Sequence, residues 1–396
     1  MGLTEGKNMT LKTPYYVIHK EELETNFKKL KTALEKHWDN NIIGYSYKTN
    51  ALPWVIKHFD TLGCYAEVVS EDEYNLAKLI GVQKNSIIYN GPIKTKDTFI
   101  EALKNGCIVN IDSQREIEWL DEVPEGHRSV GIRINFDIEK MCPGQSQCAE
   151  EGGRFGFCYE NGELYKVVCK LREKNAKITG IHLHTSSKSR GLDIYRAIAE
   201  MACKVQEEFG FDLAFIDVGG GFFGGLPTKP QFDEYLSLLE DILSKRFDKE
   251  RTKLIVEPGM AVIGAPISYV TTVVDVKDTE INRFVVTDGT RTSIDPLMTK
   301  SSYFHTYVRE SDKEKIPKQV ICGYTCMEHD RLFTAINEPE LSVGDMIIYD
   351  RVGAYTMCLT PLFIKYFPDV YVEENGELWI VRNAWKPEQY VMNSLI

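Results

Sequence analysis

The chain alternates. Between residues 42 and 258 it carries eight apolar runs of strand length: IIGYSY (42–47), CYAEVVS (64–70), SIIYNG (86–91), CIVNID (107–112), SVGIRINF (129–136), ITGIHLH (178–184), LAFIDVGGG (213–221) and KLIVEP (253–258). Helical stretches such as DEYNLAKLIG, DTFIEALKNG and DIYRAIAEMACKVQEEFG separate most of them. Near-continuous apolar runs are what strands need when both faces of a parallel sheet are covered. Eight strands alternating with helices predict an α/β fold, a (β/α)8 barrel, with 136–160 as its largest irregularity. An open doubly wound sheet is the other solution, but the Gly-rich turn expected after its first strand is missing. From about residue 266 the texture changes to β-rich runs such as PISYVTTVVDVK, RFVVTDGT, DMIIYDRVGAYT and ELWIVRNAW. The expected division is a barrel over 36–265 and a mostly antiparallel β domain built from 1–35 and 266–396. The strand of TPYYVIHKEELETNFKKLKTALEKH belongs to the second, because an eight-strand barrel leaves it unpaired. The helix after it places Leu23, Phe27, Leu30 and Leu34 at helical spacing.

Composition excludes several function classes. Net charge is −11 over 396 residues, with lysine and arginine spread along the chain. Nucleic acids and anionic membrane surfaces want clustered positive charge, so neither is an expected partner. The N-terminus lacks the apolar core of a signal peptide, and no apolar run is long enough to span a bilayer. Ten scattered cysteines, several inside apolar elements, point to a reducing cytoplasm rather than a disulfide framework. Cys322 and Cys326 have no matching Cys/His pair, so no metal is expected there.

Barrels of this kind work at the C-terminal ends of their strands. That layer holds Lys48, Glu67, Asn90, Gly91, Pro92, Lys94, Arg133, Asn135, His182, His184, Thr185, Ser186, Ser187, Asp217, Gly219, Gly220, Gly221, Glu257, Pro258 and Gly259. Each has a bland reading. Lys48, at the end of the first strand, could snorkel to solvent. The glycines could form only a turn, one histidine could be a core residue, and Glu257 could cap a turn. A metal held by His182, His184 and Glu257 would need a more complete ligand set. Taken together the residue types suit pyridoxal 5'-phosphate. That cofactor needs a lysine for a Schiff base, a partner for its ring nitrogen and a cradle for its phosphate. Lys48, Glu257, and the glycines with Ser187 supply these, and an imidazole can cover the ring. Desolvation at a strand end would favour the neutral amine that adds to a carbonyl.

Over nearly its whole length the chain resembles the fold-type III pyridoxal-phosphate enzymes of the ornithine/diaminopimelate decarboxylase family. The resemblance rests on YSYKTN (45–50), EVVSEDE (67–73), RFG (154–156), GIHLHTSS (180–187), DVGGGF (217–222), EPG (257–259), GYTCMEHD (323–330) and VGAYT (352–356). It implies a TIM-like barrel of the alanine-racemase type. Lys48 would hold the cofactor, His184 would stack on its ring and Glu257 would pair with the ring nitrogen. Ser187, Gly219, Gly220, Gly221, Gly259 and Tyr355 would bind phosphate. Cys326 and Asp330 would enter a partner subunit's site, which implies a homodimer. Cys326 would act in proton transfer, and Asp330, Glu328 and Arg133 would contact substrate.

Three departures stand out. Met260 occupies the position of an arginine that helps hold phosphate, so Arg190, Arg291 or backbone groups would compensate. Met327 follows the motif cysteine where an acid often grips the substrate's distal amine. Glu67 replaces an aspartate. The implied activity is decarboxylation of an amino acid or a derivative, free or carrier-linked, in a secondary metabolite, siderophore or surface-polysaccharide pathway. Amino-acid racemization is the alternative chemistry, and a non-enzymatic pyridoxal-phosphate carrier or regulatory protein is the alternative class.

Overall fold

The computed structural model describes residues 11–309 and 313–395. It divides into two compact units, one spanning Asn26–Ala261 and the other combining the residues before Asn26 with those from Val262 onward.

The first unit is a closed parallel barrel. Its strands are β1 (Asn41–Ser46), β2 (Tyr65–Ser70), β3 (Ile87–Ile93), β4 (Ile108–Ile111), β5 (Ser129–Asn135), β6 (Lys177–His182), β7 (Phe215–Asp217) and β8 (Lys253–Val256). Each pairs in parallel with the next. β4 closes onto β5 through Asn110↔Gly131, and β8 onto β1 through Val256↔Ile43. The eight strands sit within a few residues of the eight apolar runs. The 136–160 stretch holds the short helix Ile138–Met141 and a two-residue strand, Phe157–Cys158, beside β5. At the barrel's lower end the Phe215 ring fills the lumen against Gly180 and Gly131, where any added Cβ would collide with it. Alternating large and absent side chains is how a small barrel is packed solid.

The barrel unit begins ten residues earlier than expected and ends four earlier. The helix Lys20–His37 turns its later apolar residues toward it: Phe27 meets Phe59 at 6.0 Å between ring centroids. Elsewhere the sequence dictates its own helix ends. Ser70 caps the helix Glu71–Ile80 by accepting from the Glu73 amide, Glu73 accepts from the Val69 amide, and Gly81 ends the helix at φ +86°.

The second unit is a nine-stranded mixed sheet. The N-terminal strand Tyr15–His19 lies inside it, antiparallel to Ile267–Asp278 and parallel to Asp369–Glu374. Most other neighbours are antiparallel; Arg283–Thr287 with Lys315–Cys322 is a second parallel pair. Among the described residues no helix is long and apolar enough to cross a membrane.

Candidate active site

The site is built at the C-terminal ends of the barrel strands. β1 ends at Ser46, and Lys48 sits in the 3-10 turn Tyr47–Thr49 that follows. This corrects the expectation of a lysine at the end of the strand itself. The inward residue is Ser46, which is buried, whereas the Lys48 side chain is 40 % exposed. The strand stops because the Ser46 amide turns to the Pro258 carbonyl at 3.2 Å, and Thr49 packs where a Cβ on Gly259 would stand.

Lys48 Nζ donates to Glu67 Oε2 at 2.8 Å. Ser46 Oγ donates to the same oxygen at 2.6 Å, and Asn90 Nδ2 donates to Glu67 Oε1 at 3.0 Å. Burial opposes ionisation of Glu67, but the Lys48 charge and these three bonds outweigh it and hold the carboxyl below its usual range. Asn90 Nδ2 also donates to Glu257 Oε1 at 2.5 Å, and Asn110 Nδ2 donates to Asn90 Oδ1 at 2.8 Å.

Glu257 behaves oppositely. Burial first, then the neighbouring Asp217 and Glu67 charges, push its carboxyl well above the ordinary value. Burial likewise pushes Asp217 up to about 7, although the Gly219 amide donates to it at 2.9 Å. Asp217 Oδ2 has no hydrogen-bond donor. Both carboxyls are therefore biased toward their protonated forms.

His182, Asp217 and Glu257 bring ligand-type atoms within 4.8 Å of one another, and His182 Nε2 lies 3.7 Å from Glu257 Oε2. His184 stands outside that trio, with its ring 6.4 Å from the His182 ring. Both imidazoles are neutral. Desolvation, then the Arg133 charge, lowers His182 well below its usual value and His184 to about 3. His184 Nδ1 is buried without a hydrogen-bond partner.

The glycine run is tightly clasped. Gly219 and Gly221 adopt φ +71° and +97°. A Cβ on Gly219 would meet the His184 ring, and one on Gly220 the Glu257 carbonyl. The turn thus ties the strand ends carrying His184 and Glu257 together, and only glycine fits. A Cβ on Gly221 would approach the Tyr195 hydroxyl at 3.3 Å.

Two expected substrate contacts are engaged within their own units. Arg133 is buried, and its Nη1 donates to Asp112 Oδ2 at 2.9 Å. Its charge is met by that carboxylate, so it supports the wall behind His184. In the other unit, Asp330 is buried and accepts from Thr290 Oγ1, the Arg291 amide, and the Thr325 amide and hydroxyl at 2.6–3.1 Å. That engages both oxygens, Oδ2 three times and Oδ1 once, and makes Asp330 the organiser of the 323–330 loop. Cys326 on that loop is exposed, and the Glu328 side chain is 96 % exposed. Tyr355 is partly exposed with left-handed backbone at φ +60°.

Sequence reading placed Asn90 and Asp217 at the strand ends without a role, Glu67 only as the replacement of an aspartate, and His182 only as a core histidine or in a metal alternative. The structure makes them the network around Lys48. Asp112 and Glu116 were missed as site supports; a buried charge immediately after the fourth strand was the available signal.

The residues fit a pyridoxal phosphate. A turn lysine is held by an anionic glutamate, a protonated carboxyl stands where a heteroaromatic nitrogen can be met, an unpartnered imidazole edge is buried, and a glycine turn lets the backbone approach a ligand closely. Comparison with known proteins agrees. Residues 20–264, more than half the chain, match the family described as pyridoxal-dependent decarboxylase, pyridoxal binding domain. The diaminopimelate decarboxylase of Aquifex aeolicus is 26% identical over 98% of this chain and 92% of its own length. The ornithine decarboxylase of Mus musculus is 24% identical over 85% of this chain and 76% of its own. The crystal structure of the diaminopimelate decarboxylase of M. jannaschii superposes with a TM-score of 0.84 at 23% identity, covering 97% of this chain and 92% of that one, and so shares its fold. Barrel, strand-end network and family match converge on one statement: the chain belongs to the pyridoxal-dependent decarboxylases.

Proposed function

We propose that the protein removes the α-carboxylate of an amino acid or amino-acid derivative at the barrel mouth, using Lys48 as the residue that carries the cofactor. The observation that carries this is the Lys48–Glu67 pair beside a protonated Glu257. Bound pyridoxal phosphate supplies an electron sink for the carbanion left by carbon dioxide. The chain's residues do the rest. Glu67 positions the Lys48 amine and holds a compensating charge. Glu257 holds a proton at its carboxyl for the ring nitrogen. His184, kept neutral, offers a flat face. Ser187, Gly221 and Gly259 line the phosphate side.

In the same reading the chain acts as a homodimer in the cytoplasm, with Cys326 and Glu328 of each copy reaching the other's site. Their exposure on a loop stiffened by Asp330 supports this, and the free state of all ten cysteines suits a reducing compartment. Met327 in place of an acid favours a substrate without a free distal amine, such as a modified or carrier-linked amino acid of a secondary metabolite, siderophore or surface-polysaccharide pathway.

The test is reduction with borohydride in the presence of pyridoxal phosphate, followed by peptide mapping and measurement of carbon dioxide across an amino-acid panel. Label on the Lys48 peptide with gas release is the expected result. Stereochemical inversion without gas would replace the decarboxylase by a racemase. Label without gas or inversion on any substrate would leave a carrier protein. Absence of label on Lys48 would overturn the assignment.

A further inference from the structure

Arg190 is one of the candidates named above to compensate for Met260, and its surroundings are unusual. Its backbone is left-handed, at φ +50°. It is locked there: the Arg190 amide donates to Ser187 Oγ at 3.0 Å, and Tyr235 OH donates to the Arg190 carbonyl at 2.6 Å. The loop beneath is clamped by the insertion after β5. Ser146 bridges Ser187, the Lys188 amide donates to the Gln145 carbonyl at 2.9 Å, and Ser189 Oγ donates to Gln145 Oε1 at 2.6 Å. A non-glycine residue in this region costs of order 1–3 kcal/mol, and such strain is retained where it aims a side chain at a ligand.

The strain aims a guanidinium. Arg190 Nη1 lies 2.7 Å from the Met260 sulfur, and the group sits 5.5 Å from the Phe223 ring. A thioether is a weak acceptor and an aromatic face a diffuse one. Among the described residues no carboxylate forms an ion pair with Arg190. The cation is half-buried on the rim of the glycine run, beside Tyr195, whose hydroxyl donates to the Gly220 carbonyl at 2.8 Å. Met260 directly follows Gly259, at the position where the family resemblance expects the phosphate-binding arginine.

We infer that Arg190 supplies the cationic contact to the cofactor phosphate, reaching over Met260 from the opposite wall. The inference rests on the cofactor assignment above and adds to it a binding residue held by the 136–160 insertion. Arginine suits the task, because its planar fork can meet two phosphate oxygens at once.

Equilibrium titration of the cofactor-free protein with pyridoxal phosphate and with pyridoxal, which lacks the phosphate, separates the possibilities. Arg190→Met is expected to weaken pyridoxal phosphate by about 10- to 100-fold and to leave pyridoxal within about twofold. Adding Met260→Arg to that variant should restore most of the loss. Should Arg190→Met fail to fold, Arg190→Lys keeps a charge without the fork, and its loss should again fall on pyridoxal phosphate alone. Unchanged pyridoxal phosphate affinity, or equal losses for both ligands, would overturn the role of Arg190 while leaving Lys48 as the attachment point. If the unaltered protein binds neither ligand, the cofactor assignment itself fails.

Discussion

Two lysine–glutamate pairs stand at the barrel mouth, and they are unlike. Lys94 and Glu116 are 3.1 Å apart and fully buried, and Lys94 also donates to the Gly91 carbonyl at 2.6 Å. Beside them Arg133 meets Asp112. That side buries two cations against two anions. Around Lys48 one cation faces the Glu67 and Glu257 carboxyls, and Glu257 in turn faces that of Asp217. Buried charge persists only when matched. The first side is a balanced wall whose bonds are all internal. The second has satisfied one carboxylate and left two others holding protons. A site in that state can give a proton to a basic ring nitrogen and then pair with the cation it forms, whereas the wall is prepared only to stay in place.

The contrast breaks if the two lysines respond alike to removal. Lys48→Ala should lower turnover by at least about 10⁴-fold, as loss of a covalent attachment residue does. Its unfolding free energy should fall by only about 1–2 kcal/mol, because Glu67 keeps Ser46 and Asn90. Activity that survives would remove Lys48 from the chemistry. Lys94→Met should do the reverse and cost about 3–5 kcal/mol in denaturant unfolding, because it strands Glu116 without its cation. Adding Glu116→Leu should recover much of that. A stable Lys94→Met single variant would show that the wall is not held by charge pairing.

Proton uptake sharpens the comparison. Folded Asp217 keeps its proton up to about pH 7, whereas an unfolded aspartate loses it near 3.9. Between those values the folded state binds more protons, so stability falls as pH rises and levels off above about 7. Glu257 acts in the same direction. For Asp217 the drop amounts to roughly 2–4 kcal/mol across that window in the cofactor-free protein. Denaturation at several pH values, with Asp217→Asn alongside, reads it. A variant with an unchanged slope would mean that the proton sits elsewhere.

The two sides also differ in how far the sequence reveals them. The eight apolar runs are legible because barrel strands covered on both faces need continuous hydrophobicity. Lys48, Glu257 and the glycine run are legible because each ends such a run. The pairing is not. Glu67 lies 19 positions from Lys48, and Asn90 joins it to Glu257 across 167. Only closure of the ring brings them together. Protonation of Asp217 and Glu257 follows from that meeting, so no local pattern carries it. Lys48 was misplaced by two residues because its strand is ended by a contact with Pro258, more than 200 residues away. Asp330 and Arg133 read as substrate contacts because charge near a motif suggests a ligand. Thr290, Thr325 and Asp112 engage them from within their own units, which no local pattern shows.

The smallest effect tests the finest part of the contrast, the reason Glu67 alone of the three carboxyls is ionised. Ser46 Oγ is one of its three donors and is buried beside it. Ser46→Ala removes one bond to a charged acceptor and opens little space, so it should cost about 1–2 kcal/mol near neutral pH. Because the folded carboxyl is held below its unfolded value, Glu67 contributes stability that is present above that value and is lost as pH falls. With one donor fewer the folded value moves up toward the unfolded one. Acid unfolding should therefore begin at a higher pH in Ser46→Ala than in the unaltered protein. An unshifted acid limb would mean that Lys48 and Asn90 suffice to keep Glu67 charged. The serine at the end of β1 would then serve only to turn the chain toward Lys48.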